Sequence, residues 1–345
     1  MVAAHNIVAN LKLPTIGEKR QVLMCHLEAK NKGYIPLSPI CCELYCENSI
    51  TGEKAKKEIT FPLGIKANHD IIFELESVHC GIMTVNIKAL KVYDALGLFS
   101  INTTNVKQVE VAVLPITFPI HLTVSTHLAR DVEADEYSQE KPGSDTSETF
   151  AIRDYQPGDS LRRIHWKLSG KFDELLIKEP GLPVRHSFMV LLETNFKSGQ
   201  RPQVEVLDTL IEIVLSLGQA MTNEEITYDI GWQDHENGSF FHATIKSAEE
   251  LTGVVNRLLH IRYQEDDNDA LDCFTEVYAD NNFEHVIYIS PFVSNQLKLL
   301  SNESQTTGII CNGEAANDTV MVEGAFNLYF CSPQNYEKEL FALEI

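Results

Sequence analysis

The sequence predicts an α/β plus all-β chain, in which an N-terminal antiparallel β-sandwich is followed by a mostly parallel sheet flanked by helices. Three observations predict it. The first third holds short runs rich in Val, Ile and Phe with partial period-two alternation. After residue 185 apolar strands alternate with helical patterns. The length, 345 residues, exceeds one typical core at roughly 150 residues per domain.

Taken in order, "QVLMCHLEAKN", "SPICCELYCEN", "KKEITFPLG", "HDIIFELES", "GIMTVNIKALKVYD" and "VEVAVLPITF" read as strands bounded by Gly, Asn, Asp or Pro. With no helical period between them they form a sandwich over 1–129. Residues 130–149, "RDVEADEYSQEKPGSDTSET", lack apolar periodicity and read as an acidic, solvated linker. A segment at 150–184 follows. Gln156-Pro157-Gly158-Asp159 fits a type II turn, with Pro157 and Gly158 supplying its two dihedrals. Asp159 stands where it caps a helix beginning near Ser160, which Gly170 ends. On that helix Leu161, Ile164, His165 and Leu168 share one face, and Arg162 lies one turn from Trp166, within reach of a guanidinium–indole stack. "DELLIKEPG" is a strand leading onward.

Residues 185–345 form the second domain. "HSFMVLLET" is a buried strand, and in "VEVLDTLIEIVLSLGQAM" Val206, Leu210, Ile213, Val214 and Leu217 lie on one helical face. Strands "EITYDIGW" and "SFFHATI", helix "AEELTGVVNRLLHI", strand "HVIYIS", a helix around "VSNQLKLL", and strands "TGIICN" and "FNLYFC" complete it. Such sheets place ligands at the carboxyl ends of their strands.

The formal net charge of −21 argues against nucleic acid or an anionic lipid surface as the main partner. The imbalance is local: residues 186–345 hold 7 basic against 26 acidic residues. Eight cysteines show no paired framework and read as reduced core thiols. In "CCELYC", Cys42, Leu44 and Cys46 share a strand face from which Cys41 points away, so the cluster is a poor metal site. No stretch approaches the roughly 20 apolar residues of a membrane span.

Chemistry is sparse. No glycine-rich phosphate loop exists, and Ser160 and Ser169 lack a base or a nucleophile elbow. Asp154, Asp159 and His165 supply acid and base types from which a hydrolase can be built, but His165 is expected on an apolar face. Arg153, Asp159, Arg162 and Trp166 are better explained as a paired polar network, a clamp between domains. The acidic "YQEDDNDALD", 263–272, lacks the glycine of a calcium loop and reads as solvated.

The motif "IRDYQPGDSLRRIHWKLSGK", with "KEP" and "FMVLLET" after it, resembles the signature of the domain-of-unknown-function 58 family. Its residues Arg153, Tyr155, Pro157, Gly158, Asp159, Arg162, Ile164, His165 and Trp166 carry the resemblance, and Lys171 closes the motif. "KALKVYDALGLFS" and "VAVLP" resemble the segments that precede the motif in that family. Gly170 and Lys171 depart from the usual Ala-Arg, and Ala95 and Leu96 from Pro-Phe.

The resemblance implies two N-terminal membrane helices, a sandwich-like region, the motif, and a von Willebrand factor A-like (Rossmann-type) domain. It implies genomic association with MoxR-class AAA+ ATPases, and hence such an ATPase as partner. The chain then reads as a fragment of a protein anchored at the cytoplasmic face of the membrane, its helices lying upstream of residue 1. It also points to the site where the A-type fold binds a divalent cation through Asp-x-Ser-x-Ser. Here Glu193-Thr194-Asn195-Phe196-Lys197 stands in its place, so Glu193 and Asn195 are weak candidates for magnesium, Lys197 brings an ammonium, and "ISPF" offers no Asp. The leading expectation is a non-catalytic protein-interaction module. Its rivals are a cation-dependent binder at 193–195 and a hydrolase using Asp159 and His165.

Overall fold

The computed structural model describes residues 6–93, 99–103, 108–123, 145–154, 164–172, 175–181, 188–278, 283–301, 304–312, 320–323 and 326–345. Its N-terminal strands are β1 (Ile7–Lys12), β2 (Ile16–Glu18), β3 (Val22–Asn31), β4 (Leu37–Asn48), β5 (Lys54–Leu63), β6 (Asn68–Glu76), β7 (Gly81–Tyr93), β8 (Ser100–Thr103), β9 (Gln108–Leu114) and β10 (His121–Thr123). Next come β11 (Asp145–Asp154), α1 (Trp166–Phe172) and β12 (Leu176–Gly181). The remainder opens with β13 (Phe188–Leu192), β14 (Asn195–Phe196), α2 (Val204–Asn223), β15 (Tyr228–Asp234), β16 (Ser239–Ile245), α3 (Ala248–Leu259), β17 (Gln264–Glu265) and α4 (Ala270–Val277). It closes with β18 (His285–Ser290), α5 (Gln296–Leu300), β19 (Gln305–Cys311), β20 (Val320–Glu323), β21 (Phe326–Cys331), α6 (Tyr336–Glu339) and β22 (Ala342–Glu344).

The sandwich stacks a three-stranded sheet, β1-β3-β6, on a six-stranded one ordered β2-β9-β7-β4-β5 with β8 on β7. Period-two alternation turns Ile7, Ala9 and Leu11 of β1, and Leu23, Cys25, Leu27 and Ala29 of β3, into the core. On β7 the inward parity changes, from Val85 and Ile87 to Leu90 and Val92. A register shift in the β4–β7 ladder, between Glu43 and Leu44, sits where one extra residue must be absorbed. Cys42, Leu44 and Cys46 enter this core, while the Cys41 thiol points to Glu58. The sandwich is not wholly antiparallel, because β2 runs parallel to β9.

All eight cysteines are free, and all but Cys273 are buried. Burial pushes the Cys25 thiol up to about 11 and the Cys42 thiol up to about 12, so thiolate is scarce near neutrality. A thiol-reactive chromophore at pH 8 is expected to report at most one of the eight thiols in the folded chain, and all eight after denaturation. Rapid labelling of several native thiols would contradict this packing.

The expected class is corrected in the second half. The chain is mostly β, 48% strand against 21% helix, and its sheets are several and mixed, so a von Willebrand factor A-like, Rossmann-type layer does not describe it. The seven-stranded sheet, β16-β15-β13-β18-β19-β21-β20, has parallel pairings in its middle but antiparallel strands at both edges. The reason is connection length. Four residues join β15 to β16 and two join β20 to β21, too few for a crossover, which takes a dozen or more. Separate two-stranded ladders join β10 to β22, β11 to β12 and β14 to β17.

Successive residues of β13 point to opposite faces. Phe188, Val190 and Leu192 meet α2, while Met189 and Leu191 meet Leu271 and Phe274 of α4. Helix α2 is buried nearly all round because the sandwich covers the side that the sheet leaves free. Ile50, Cys80, Ile82, Phe118 and Ile120 from the N-terminal half join its core. Among the described residues, no helix is long and apolar enough to cross a membrane.

The expected motif helix is also corrected. Ile164 lies in a β-bridge with Ile177, both buried, and α1 starts at Trp166 and continues past Gly170 to Phe172. Ile164 and His165 therefore precede the helix and share no helical face with Leu168, and Leu161 lies outside the described residues. The expected linker 130–149 lies outside the described residues except for its last five, which belong to β11.

Candidate functional site

Glu193 follows β13 at the carboxyl edge of the seven-stranded sheet and is fully buried. Its backbone amide donates to Ile289 at 2.9 Å, which fixes the chain as it leaves the sheet. Its carboxylate is enclosed by donors. Oε1 accepts the Asn195 amide at 2.7 Å, and Oε2 accepts the Ala270 amide at 2.9 Å and the Tyr288 hydroxyl. Burial pushes the carboxyl up to about 7, against the pull of these three donors and with a further push from Asp269.

The neighbouring side chains are engaged in the same way. Asn195 donates from Nδ2 to the Asn268 carbonyl at 2.8 Å, and its Oδ1 meets Nε2 of His235 at 2.6 Å. Thr194 donates from Oγ1 to the Gln233 carbonyl at 2.9 Å. Asp269 caps α4 in a reciprocal box with Asp272 and accepts the Ser294 hydroxyl at 2.5 Å. Gln296 donates to Asp272 at 2.8 Å. The loop between β17 and α4 is tied down through Gln264 to Thr194 at 3.1 Å and Asp266 to Phe196 at 3.1 Å. The segment 263–272, expected as a solvated loop, thus has a fixed backbone that holds Glu265, Asp266 and Asp267 exposed.

Glu193 and Asn195 do not fit a magnesium site. A hard cation needs six oxygens and tolerates few substitutes, whereas the Glu193 oxygens already serve backbone and phenol donors in a dry pocket. Among the described residues, no group of three His, Cys, Asp or Glu side chains is arranged to hold a metal. Lys197 is exposed and takes no part in the cluster. A cleft of about 230 Å³ opens beside His235. Its charges are spoken for: Glu236 faces Arg262 at 3.5 Å, and the Arg257 guanidinium lies 4.9 Å from the Phe241 ring centre.

The motif residues are only partly described. Tyr155, Pro157, Gly158, Asp159 and Arg162 lie outside the described residues. Arg153 lies in β11 opposite Ile177, and Lys171 lies within α1. His165 precedes α1, and its amide donates to Leu176 at 2.8 Å. Its Nδ1 accepts the Leu168 amide at 3.3 Å, and Ser169 Oγ accepts the Leu176 amide at 2.9 Å. A ring nitrogen that caps a helix is not free to act as a base from that atom.

A polar clamp between the two halves lies elsewhere, on α2. Asp208, Glu212 and Ser216 are spaced at i, i+4 and i+8 and form one stripe facing the sandwich. Asp208 accepts the Cys80 amide at 2.8 Å and faces His79 at 3.2 Å and Lys19. Glu212 faces Lys19 at 2.9 Å and accepts the Ile116 amide at 3.0 Å and the Tyr336 hydroxyl at 2.6 Å. Ser216 accepts the Phe118 amide at 3.1 Å. The sequence signal was present: two acids four apart inside an otherwise apolar helix mark a buried polar stripe that needs partners.

No family model matches the chain, and no curated protein matches it. Among solved structures, the CARDB domain of a Pyrococcus furiosus protein, crystallised in complex with di-metal ions, aligns at 20% identity over 31% of this chain and 87% of that one, with a TM-score of 0.24. A β-glucosidase from Listeria innocua aligns at 15% identity over 31% of this chain and 16% of that one, with a TM-score of 0.25. The chain thus spans a small part of the glucosidase.

Proposed function

We propose that the chain is a non-catalytic protein-interaction module of the domain-of-unknown-function 58 kind. It docks a MoxR-class AAA+ ATPase at the cytoplasmic face of a membrane. The observation that carries this reading is the carboxyl edge of the large sheet. There Glu193 spends both oxygens on internal donors, while the loop above it holds Glu265, Asp266 and Asp267 outward on a fixed backbone. A buried, saturated carboxyl beneath an exposed acidic rim suits docking rather than turnover.

The rival readings draw less support. A cation at 193–195 meets an oxygen set already satisfied, and a hydrolase at His165 meets a ring nitrogen used as a helix cap. The docking reading is tested by titrating the chain against a purified MoxR-class ATPase at low and high salt. Binding that weakens with salt is expected, with a loss of about tenfold or more in E265Q/D266N/D267N at low salt. Absence of binding at both ionic strengths, or equal binding by the triple variant, would overturn it.

A further inference from the structure

We infer that the tip of the sandwich formed by the β3–β4 and β5–β6 turns is a contact surface for anionic lipid headgroups and the acyl chains beneath them. Three large apolar side chains project there together, with Tyr34 74%, Ile35 58% and Ile65 55% exposed. Their display is built rather than incidental. Asn31, itself 1% exposed, donates from Nδ2 to the Ile35 carbonyl at 2.8 Å and to the Gly64 carbonyl at 2.9 Å, pinning both turns to one buried amide. Its Oδ1 accepts the Gly33 amide at 2.8 Å, and the Lys66 amide donates to Gly33 at 3.1 Å. Lys66 adopts φ 48, a left-handed conformation that a lysine occupies only when its surroundings hold it there.

Charge selects the occupant. The chain carries −21 overall, yet segments 29–37 and 60–67 contain Lys30, Lys32 and Lys66 and no acid. The Lys66 ammonium sits 4.2 Å from the Tyr34 ring centre, so a cation and an amphipathic aromatic share one point of the tip. Lysines around exposed isoleucines and a tyrosine form the pairing that settles at a lipid–water interface, the rings and aliphatic groups entering and the ammonium groups staying with phosphate. The net charge argues against a broad anionic surface as main partner, but screening confines repulsion to about 8 Å at physiological salt, which leaves a local basic tip free to engage. The Lys32 amide also donates to the Asn6 carbonyl at 2.8 Å, so the start of β1 lies beside the tip. This inference does not depend on the ATPase reading.

Vesicle co-sedimentation of the whole chain tests it, with vesicles of phosphatidylcholine alone or containing about one third phosphatidylglycerol. Partitioning on the order of 10⁴ M⁻¹ is expected with the mixed vesicles, the level that a single acyl anchor provides, falling as salt rises. I35D and I65D, both at exposed positions, should each weaken it by roughly tenfold, and K32E/K66E should abolish the preference for anionic vesicles. L299D, at an exposed position far along the chain, should leave it unchanged. Wild-type chain that stays in the supernatant with mixed vesicles, or variants that sediment as well as wild type, would overturn the inference and leave the ATPase titration untouched. A protein that instead captured the tip would give that same vesicle-negative result.

Discussion

Replacing Lys19 by alanine is expected to destabilise the folded chain by about 3–5 kcal/mol, the range for removing one partner of a buried charge network. Lys19 is 8% exposed and faces two carboxylates that are more deeply buried still, Asp208 at 2% and Glu212 at 0%. Burial pulls its ammonium down, but the two carboxylates more than offset this and hold it above the usual lysine value. Without it the partners of both acids among the described residues are neutral donors and one histidine: the Cys80 and Ile116 amides, the Tyr336 hydroxyl and His79. Two negative charges one helical turn apart would then face each other in a dry interface.

The measurement is urea unfolding, followed by far-ultraviolet dichroism and by tryptophan fluorescence, because Trp232 lies in the second half and probes that disagree would reveal separate unfolding of the halves. The matched control is Lys12→Ala, whose bridge to Glu28 lies at the surface and should leave the midpoint where it is. An unchanged midpoint in Lys19→Ala would mean that the interface is wet or open in solution. The network has its own acid and alkaline limits. The bond to Asp208 raises His79, so its contribution is full below the unfolded histidine value near 6.5 and is lost as pH rises through the raised one. Asp208 is pushed up by burial but held lower overall by His79 and Lys19, so its contribution is present above the unfolded value near 3.8 and is lost as pH falls through the lowered one.

How much of this could be read beforehand depends on what periodicity encodes. It encodes which face is apolar, and so α2 and the inward face of β3 were legible from Val206, Leu210 and Ile213 and from Leu23, Cys25 and Leu27. It does not encode strand direction. The antiparallel edges of the large sheet follow from loop length, and the four-residue "HENG" between β15 and β16, with Gly238 at φ 62, was a hairpin signal that strand–helix alternation obscured. A bulge likewise breaks parity, so the inward set on β7 was only half visible. The clamp was sought where charge and tryptophan crowd together, around residue 160. The clamp among the described residues lies where charge is scarce, on Asp208 and Glu212, because a buried charge reads from sequence as an exception to an apolar pattern rather than as a motif. At the candidate site the sequence drew attention to 193–195 as weak cation ligands at a strand's carboxyl end. It could not show that distant groups, the Ala270 amide and Tyr288, would consume the oxygens that a cation needs.

That consumption has a measurable consequence. Glu193 is expected to make the chain lose about 3 kcal/mol of stability as pH rises from about 4.5 to about 7, since its carboxyl titrates near 4.5 when unfolded and near 7 when buried. The sign follows from proton count: between those values the folded state holds the proton and the unfolded state has released it, so raising pH favours unfolding, and above 7 the slope from this group vanishes. Burial is the main cause, and the Tyr288, Ala270 and Asn195 donors keep the shift from being larger. His79 loses its own contribution as pH rises above about 6.5, at the top of that window and beyond it, so the wild-type profile combines the two. Glu193→Gln separates them. Its stability difference between pH 5 and pH 8 should shrink by about 3 kcal/mol relative to wild type, leaving the histidine step in place. Millimolar magnesium at pH 8 is a second arm. An ion bound by the ionised carboxylate would stabilise the wild type through mass action and leave the variant unmoved, whereas a carboxylate spent on internal donors gives no response in either. A wild-type profile as flat as that of Glu193→Gln would show that water reaches the carboxyl, and the saturated edge that supports docking over chemistry would lose its basis.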